Sequence, residues 1–291
     1  MDQESLAVGV GMPIALFIIM TGIGLTLTPG DFRRELRSPR ALAAGSVGQL
    51  VAVPLLGLLL AVLFRPPPEI AVGLVIAAAL PGGTMSNLCA FLGRGNVALS
   101  VVLTVAASLA AVATLPLWTL LALEQDVGAV VPPPGETVGR MLATVVAPVL
   151  LGMAVRYRRP ALASRVERPF SLAAGAALGL MVLGVGLALR EDVPDYLRQA
   201  GLVVVLLNIG GAALGWLLGA AVGAPRRDRL TLALELGMKN AALGMLIGGT
   251  LLGDFAYAVP SAVYGAVMFG PALVLAAYGR RTLPAGRDAG G

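Results

Sequence analysis

The stretch Leu-Ala-Leu-Glu-Leu-Gly-Met-Lys-Asn-Ala-Ala-Leu at residues 232–243 sets two opposite charges, Glu235 and Lys239, inside an otherwise apolar segment. Lys239 is the only lysine of the chain. The surrounding sequence is 57% hydrophobic and 13% charged, with a mean hydropathy of +0.87, too little polar surface to cover a water-soluble globule of 291 residues. The chain therefore belongs in a lipid bilayer. A charge near the bilayer centre costs about 2.5–3.5 kcal/mol on insertion scales, so it faces a protein interior or a watery path. Two such charges in one span mark function.

The chain has no histidine and one cysteine, Cys89. This excludes Ser-His-Asp and Cys-His catalysis, His-ligated zinc, Cys-rich metal sites and a disulfide framework. Cys89 reads as a small packing residue. The formal net charge of +5 is carried by arginines in short clusters between apolar runs, which is the pattern of a topology signal and not of a nucleic-acid surface. The N-terminus, Met-Asp-Gln-Glu-Ser, lacks the basic start of a signal peptide, so the first apolar run is expected to be retained.

With about 20 apolar residues per helical crossing, the sequence predicts an all-α polytopic membrane protein of about nine transmembrane helices, forming a single transmembrane domain over residues 1–291. The spans fall at about 6–27, 41–64, 70–92, 97–121, 138–155, 170–189, 200–222, 230–252 and 260–279. Arginines crowd the connections after spans 1, 3, 5 and 7 and the tail, from Arg33 to Arg40, at Arg94, from Arg156 to Arg168, from Arg226 to Arg229 and from Arg280 to Arg287. The other side carries Arg65, Arg190 and Arg198, with Arg140 near the mouth of span 5. This bias places the N-terminus outside and the C-terminus in the cytoplasm. The proline runs at 66–68 and 132–134 read as stiff connectors.

Two spans are interrupted. Pro81, Gly82 and Gly83 break the third near its middle, and Gly237, Met238, Lys239 and Asn240 interrupt the eighth at comparable depth. Freed backbone is tolerated in a bilayer only where protein or a wet cavity receives it, so paired interruptions point to a central binding site. Spans 3 and 8 cross in opposite directions, which predicts inverted repeats at about 6–121 and 170–279 with span 5 unpaired.

Replacing the hydration shell of an alkali cation takes several oxygen ligands. Ser86 and Asn87 follow the first break, Ser100 and Thr104 share one face of span 4, Glu235 supplies a charge, and Gln49 sits midway along span 2. Plainer readings stand beside these. Ser100 and Thr104, with Ser108 continuing the stripe, also fit bonds back to their own helix. Gln49 and Asn208 also fit interhelical contacts, and Glu235 with Lys239 fits an i,i+4 ion pair, although a buried pair adds little stability over apolar packing.

At Gly-Ile-Gly-Leu-Thr-Leu-Thr-Pro-Gly-Asp-Phe (22–32), Pro-Gly-Gly-Thr-Met-Ser-Asn (81–87), Arg-Gly-Asn-Val-Ala-Leu-Ser (94–100) and Ala-Leu-Glu-Leu-Gly-Met-Lys-Asn (233–240), the chain resembles the bile acid:sodium symporter family in its bacterial branch. The resemblance covers nearly the whole length. It implies a panel domain packed against a core domain, where two broken helices cross beside two sodium sites, in a nine-helix form lacking the usual first helix. Carried over by motif, the first site takes Ser86, Asn87, Ser100, Thr104 and Glu235. The second takes Gln49, Glu235 and carbonyls near Leu236 and Met238, with Lys239 where the family usually has a glutamine. An ammonium there repels a nearby cation, so Lys239 is expected to replace the second ion. That leaves coupling to one Na+, or to H+ if Lys239 exchanges a proton during the cycle, or an uncoupled organic-anion carrier. The alternative is that Lys239 reaches into a watery vestibule and leaves the second site intact.

These readings make the chain a symporter that couples Na+ to uptake of a small organic anion by alternating access. The substrate is expected near Thr84, Asn87 and Asn240, where half-helix N-termini meet a carboxylate. The carrier is expected to work as a monomer in the bacterial inner membrane, with lipid around it and no nucleic-acid partner. An enzyme would need Ser-Lys chemistry, and no recognised protease context surrounds Ser86 or Lys239. A channel would conduct without cation coupling.

Overall fold

The computed structural model describes Phe17, Ile18, Thr21, Leu25 and residues 39–124, 147–163, 165, 166, 169, 193–252 and 254–284. Among these residues every regular element is helical. Helix α1 (Pro39–Val47) runs through a π-helical turn, Gly48–Ala52, into α2 (Val53–Phe64), making one span of 26 residues. Pro54 accounts for the turn. It has no N–H for the Leu50 carbonyl four residues back, and Trp118 Nε1 donates to that carbonyl at 2.9 Å instead. Gln49, inside the turn, is buried.

The expected break in the third span lies between α3 (Pro68–Ala79) and α4 (Thr84–Leu92), with extended backbone at Leu80 and Gly83. Helices α5 (Val97–Glu124), α6 (Ala147–Arg158) and α7 (Val193–Ala221) follow. The second broken span is α8 (Arg226–Gly237) and α9 (Ala241–Leu251), with Met238 extended between them. A 3-10 turn, Phe255–Ala258, leads into α10 (Val259–Val267) and α11 (Phe269–Thr282). Among the described residues, four stretches are long and apolar enough to cross a bilayer, Pro39–Phe64, Pro194–Ala221, Arg226–Gly249 and Phe255–Thr282, and the bent pair Val97–Ala111 and Ala113–Ala122 makes a fifth if taken as one span. The spans expected at 6–27 and 170–189 lie outside the described residues, isolated positions apart, and α6 covers only the second half of the one at 138–155.

The broken span α8–α9 is the most enclosed of these four. Its most apolar window is 83% buried, against 33% for the spans Pro39–Phe64 and Pro194–Ala221, so it is surrounded by protein where they keep faces for other surroundings. Helix α7 approaches it backbone to backbone through Gly211, Gly215 and Gly219, spaced four apart on one face. A methyl group at Gly211 would lie 2.6 Å from the Leu236 carbonyl oxygen, and one at Gly215 2.8 Å from Ala233 Cα. Cys89 packs in the apolar cluster between these helices, as its sequence context suggests.

Candidate functional site

The two breaks meet and satisfy each other. The Asn240 N–H donates to the Pro81 carbonyl at 2.9 Å, and Lys239 Nζ donates to the Leu80 carbonyl at 3.0 Å. On the other side of the crossing, the Gly237 carbonyl, which ends α8, accepts from Asn208 Nδ2 at 2.6 Å and from Tyr264 OH at 2.8 Å. The backbone groups freed by the breaks thus find partners on other spans, as a non-aqueous setting requires. Asn208 is the interhelical contact expected of it. Tyr264 carried no signal in the sequence beyond being an aromatic with a polar tip in an apolar run, although a buried phenol usually finds an acceptor.

Just below the crossing Glu235 is fully buried, with Ser86, Ser100 and Thr104 against its carboxylate and Asn87 joined to the cluster through Ser100 and Thr104. Ser86 Oγ lies 2.7 Å from Glu235 Oε1 and 2.6 Å from the Gly83 carbonyl oxygen. Ser100 Oγ contacts Glu235 Oε1 and lies 2.7 Å from Asn87 Oδ1. Thr104 Oγ1 stands 3.0 and 3.2 Å from the two carboxylate oxygens and 3.4 Å from Asn87 Oδ1. Each hydroxyl has one proton to give. With Asn87 Oδ1 turned toward the hydroxyls, three hydroxyl protons face seven oxygen–oxygen contacts, and a proton on the carboxyl would still leave lone pairs opposed. Of the polar stripe on α5, only Ser108 bonds back to its own helix, to the Thr104 carbonyl at 2.7 Å. Gly82 is part of the enclosure: a methyl group there would lie 2.5 Å from Glu235 Oε2.

The second set is arranged differently. Gln49 Nε2 donates to Glu235 Oε2 at 3.2 Å, and its buried Oε1 has no partner among the described residues. Leu236 and Met238 are buried, and the Leu236 carbonyl is covered by α7 at Gly211. Lys239 does not form an ion pair with Glu235. The reason is local. Helix α8 ends at Gly237, so the spacing of four no longer places the two side chains on one helical face. Lys239 is only 2% exposed and reaches across to the other break, which also separates it from the vestibule alternative. Asn240 caps α9 by accepting from the Leu243 N–H at 3.2 Å, Asn87 is half-buried in the second turn of α4, and Thr84 is the first residue of α4.

The description "Sodium Bile acid symporter family" matches residues 13–192 of the chain. Among curated proteins, the chain is 32% identical over 277 residues to the probable sodium/metabolite cotransporter BASS1 of Arabidopsis thaliana, covering 93% of this chain and 67% of that one. It is 32% identical to the uncharacterized sodium-dependent transporter YocS of Bacillus subtilis, over 86% of this chain and 77% of the relative. It is 30% identical to the human ileal sodium/bile acid cotransporter, over 80% of this chain and 67% of the relative. Against the plant relatives the chain spans about two thirds of their length, 67% for Arabidopsis BASS1 and 64% for its rice counterpart. The converging hydroxyls and carboxylate thus sit in a protein that belongs to the sodium bile acid symporter family, a membrane symporter and not an enzyme.

Proposed function

We propose that this symporter moves a small organic anion together with sodium, by alternating access, and that Ser86, Asn87, Ser100, Thr104 and Glu235 hold the coupling cation. The observation that carries the reading is the shortage of protons in that cluster. A monovalent cation would turn opposed lone pairs into ligands, as hydroxyls, an amide oxygen and a carboxylate suit a hard ion. The relatives' names, which specify sodium, support the choice of ion. Gln49, Leu236 and Met238 would border a second cation, but Lys239 in its charged form would put a positive charge at the crossing in that ion's place, so in this reading the carrier couples one sodium per cycle. Because the Lys239 ammonium bonds a neutral carbonyl and no carboxylate, a second reading also fits, in which Lys239 gives up its proton in the cycle and the carrier is proton-coupled.

In this reading the substrate binds at the start of α4 and α9. Both helices begin at the crossing, so their positive ends converge there, with Thr84, Asn87 and Asn240 beside them. The core and panel arrangement, the inverted repeats, action as a monomer, and a bacterial inner-membrane location with the arginine-rich loops in the cytoplasm complete the reading.

Thermal unfolding of the purified carrier in sodium, potassium and choline chloride tests it. Sodium alone is expected to raise the midpoint, by about 2.7 kcal/mol of added stability at about a hundredfold excess over its dissociation constant. Identical midpoints in the three salts would sink the cation site. Stabilisation that follows pH and not sodium would favour the proton-coupled reading.

A further inference from the structure

The oxygen cluster is the inner end of a longer polar seam. On α8, Asp228, Thr231 and Glu235 stand at i, i+3 and i+7, on one helical face. Opposite them on α5 stand Asn96, which caps the helix by accepting from the Leu99 N–H at 3.1 Å, then Ser100 and Thr104 at successive steps of four. The two rows bond rung by rung. Asn96 Nδ2 donates to Asp228 Oδ1 at 3.0 Å, the Asn96 N–H donates to Thr231 Oγ1 at 2.7 Å, and the Ser100 and Thr104 hydroxyls reach Glu235. Asp228 is 5% exposed, and among the described residues it has no cationic partner, the ion pair there being Arg198 with Asp195. Seven residues of helix put Asp228 about 10 Å from Glu235. Asp228 lies in the first turn of α8, whose N-terminus favours a carboxylate by much less than burying an ion costs, so the helix end alone does not account for it.

We propose that this seam is the route by which the coupling cation leaves the Glu235 cluster toward the arginine-rich end of the molecule, with Asn96 and Asp228 as its gate. The inference rests on the cation-site reading above. At that end Arg227 Nε donates to the Gly95 carbonyl at 3.1 Å and Arg94 Nη1 to the Leu283 carbonyl at 2.9 Å, which ties the loop at 93–96 over the seam. The gate is shut: a methyl group at Gly95 would lie 2.7 Å from Thr231 Oγ1, leaving no passage between loop and helix. When the loop lifts, the Asn96–Asp228 rung parts. A cation leaving Ser100 and Glu235 then meets the Thr231 hydroxyl and next the freed Asp228 carboxylate.

The test is sided. Carrier reconstituted into liposomes in one orientation is assayed for uptake driven by external sodium and for inhibition by sodium on the arginine-rich side. Asp228→Asn is expected to raise the half-inhibiting concentration on that side about fivefold or more while the external half-saturating concentration stays within about twofold, because only the exit loses its attraction for the ion. Thr231→Val, which keeps the side-chain volume, should shift the same side and serves if Asp228→Asn does not fold. Equal shifts on both sides, or none on either, overturn the proposal. Wild type with no sodium-dependent uptake overturns the cation site itself and the route with it, whereas normal wild-type coupling with unshifted variants overturns the route alone.

Discussion

Lys239 places its ammonium between two helix breaks, bonded to the Leu80 carbonyl and out of ion-pair reach of Glu235. That geometry gives a sharp expectation for Lys239→Gln. The amide can still donate to Leu80, so the crossing survives, but the positive charge that the one-sodium reading gives Lys239 is gone and a second sodium can join. Uptake plotted against sodium concentration is expected to change from hyperbolic to sigmoidal, and a curve unchanged from wild type would count against the substitution of ion by ammonium. The sequence made the residue conspicuous through its cost in a bilayer, and it made the five oxygen-bearing side chains candidates through their positions after a break or along one helical face. It could not say which way Lys239 turns. Spacing of four implies a shared face only while the helix continues, and α8 stops at Gly237, between the two charges.

At the scale of elements, both breaks were legible because Pro-Gly-Gly cannot continue a helix and because glycine, a charge and an amide interrupt the other apolar run. The π-helical turn was less legible. Its cause, Pro54, is visible in the sequence, but the compensation comes from Trp118 on α5, a contact over 68 residues. The glycines at 211, 215 and 219 are a readable small-residue stripe whose partner is not named by the sequence. Their role is to let α7 seat α8, and with it Glu235, at close range. Gly215→Val would force side chain against the backbone of Leu232 and Ala233, and is expected to cost about 1–3 kcal/mol of stability by overpacking. Thermal unfolding checks this, and the variant should also lose the stabilisation by sodium, since α8 carries the carboxylate.

For the whole molecule, composition assigned the chain to the bilayer, and apolar runs of about 20 residues assigned it to helices, since the strands of a barrel would alternate apolar and polar residues. What brings Gln49 to Glu235 across 186 residues is tertiary packing, which no local pattern encodes. Orientation rests on the arginine bias and is open to a direct check, helped by the single, buried Cys89. In a Cys89→Ser background, Tyr157→Cys is expected to react with a membrane-impermeant maleimide only from the cytoplasmic face and Gln199→Cys only from outside, both positions being exposed. Labelling of both from one side would reverse or refute the topology. The crossing also bears on how the chain is made. The carbonyls of Leu80 and Pro81 are capped by Lys239 and Asn240, so a ribosome that has released only the first half has produced a span with two buried acceptors and nothing to occupy them. That half has to wait, beside the insertion machinery or in contact with water, about 160 residues of synthesis for its partner.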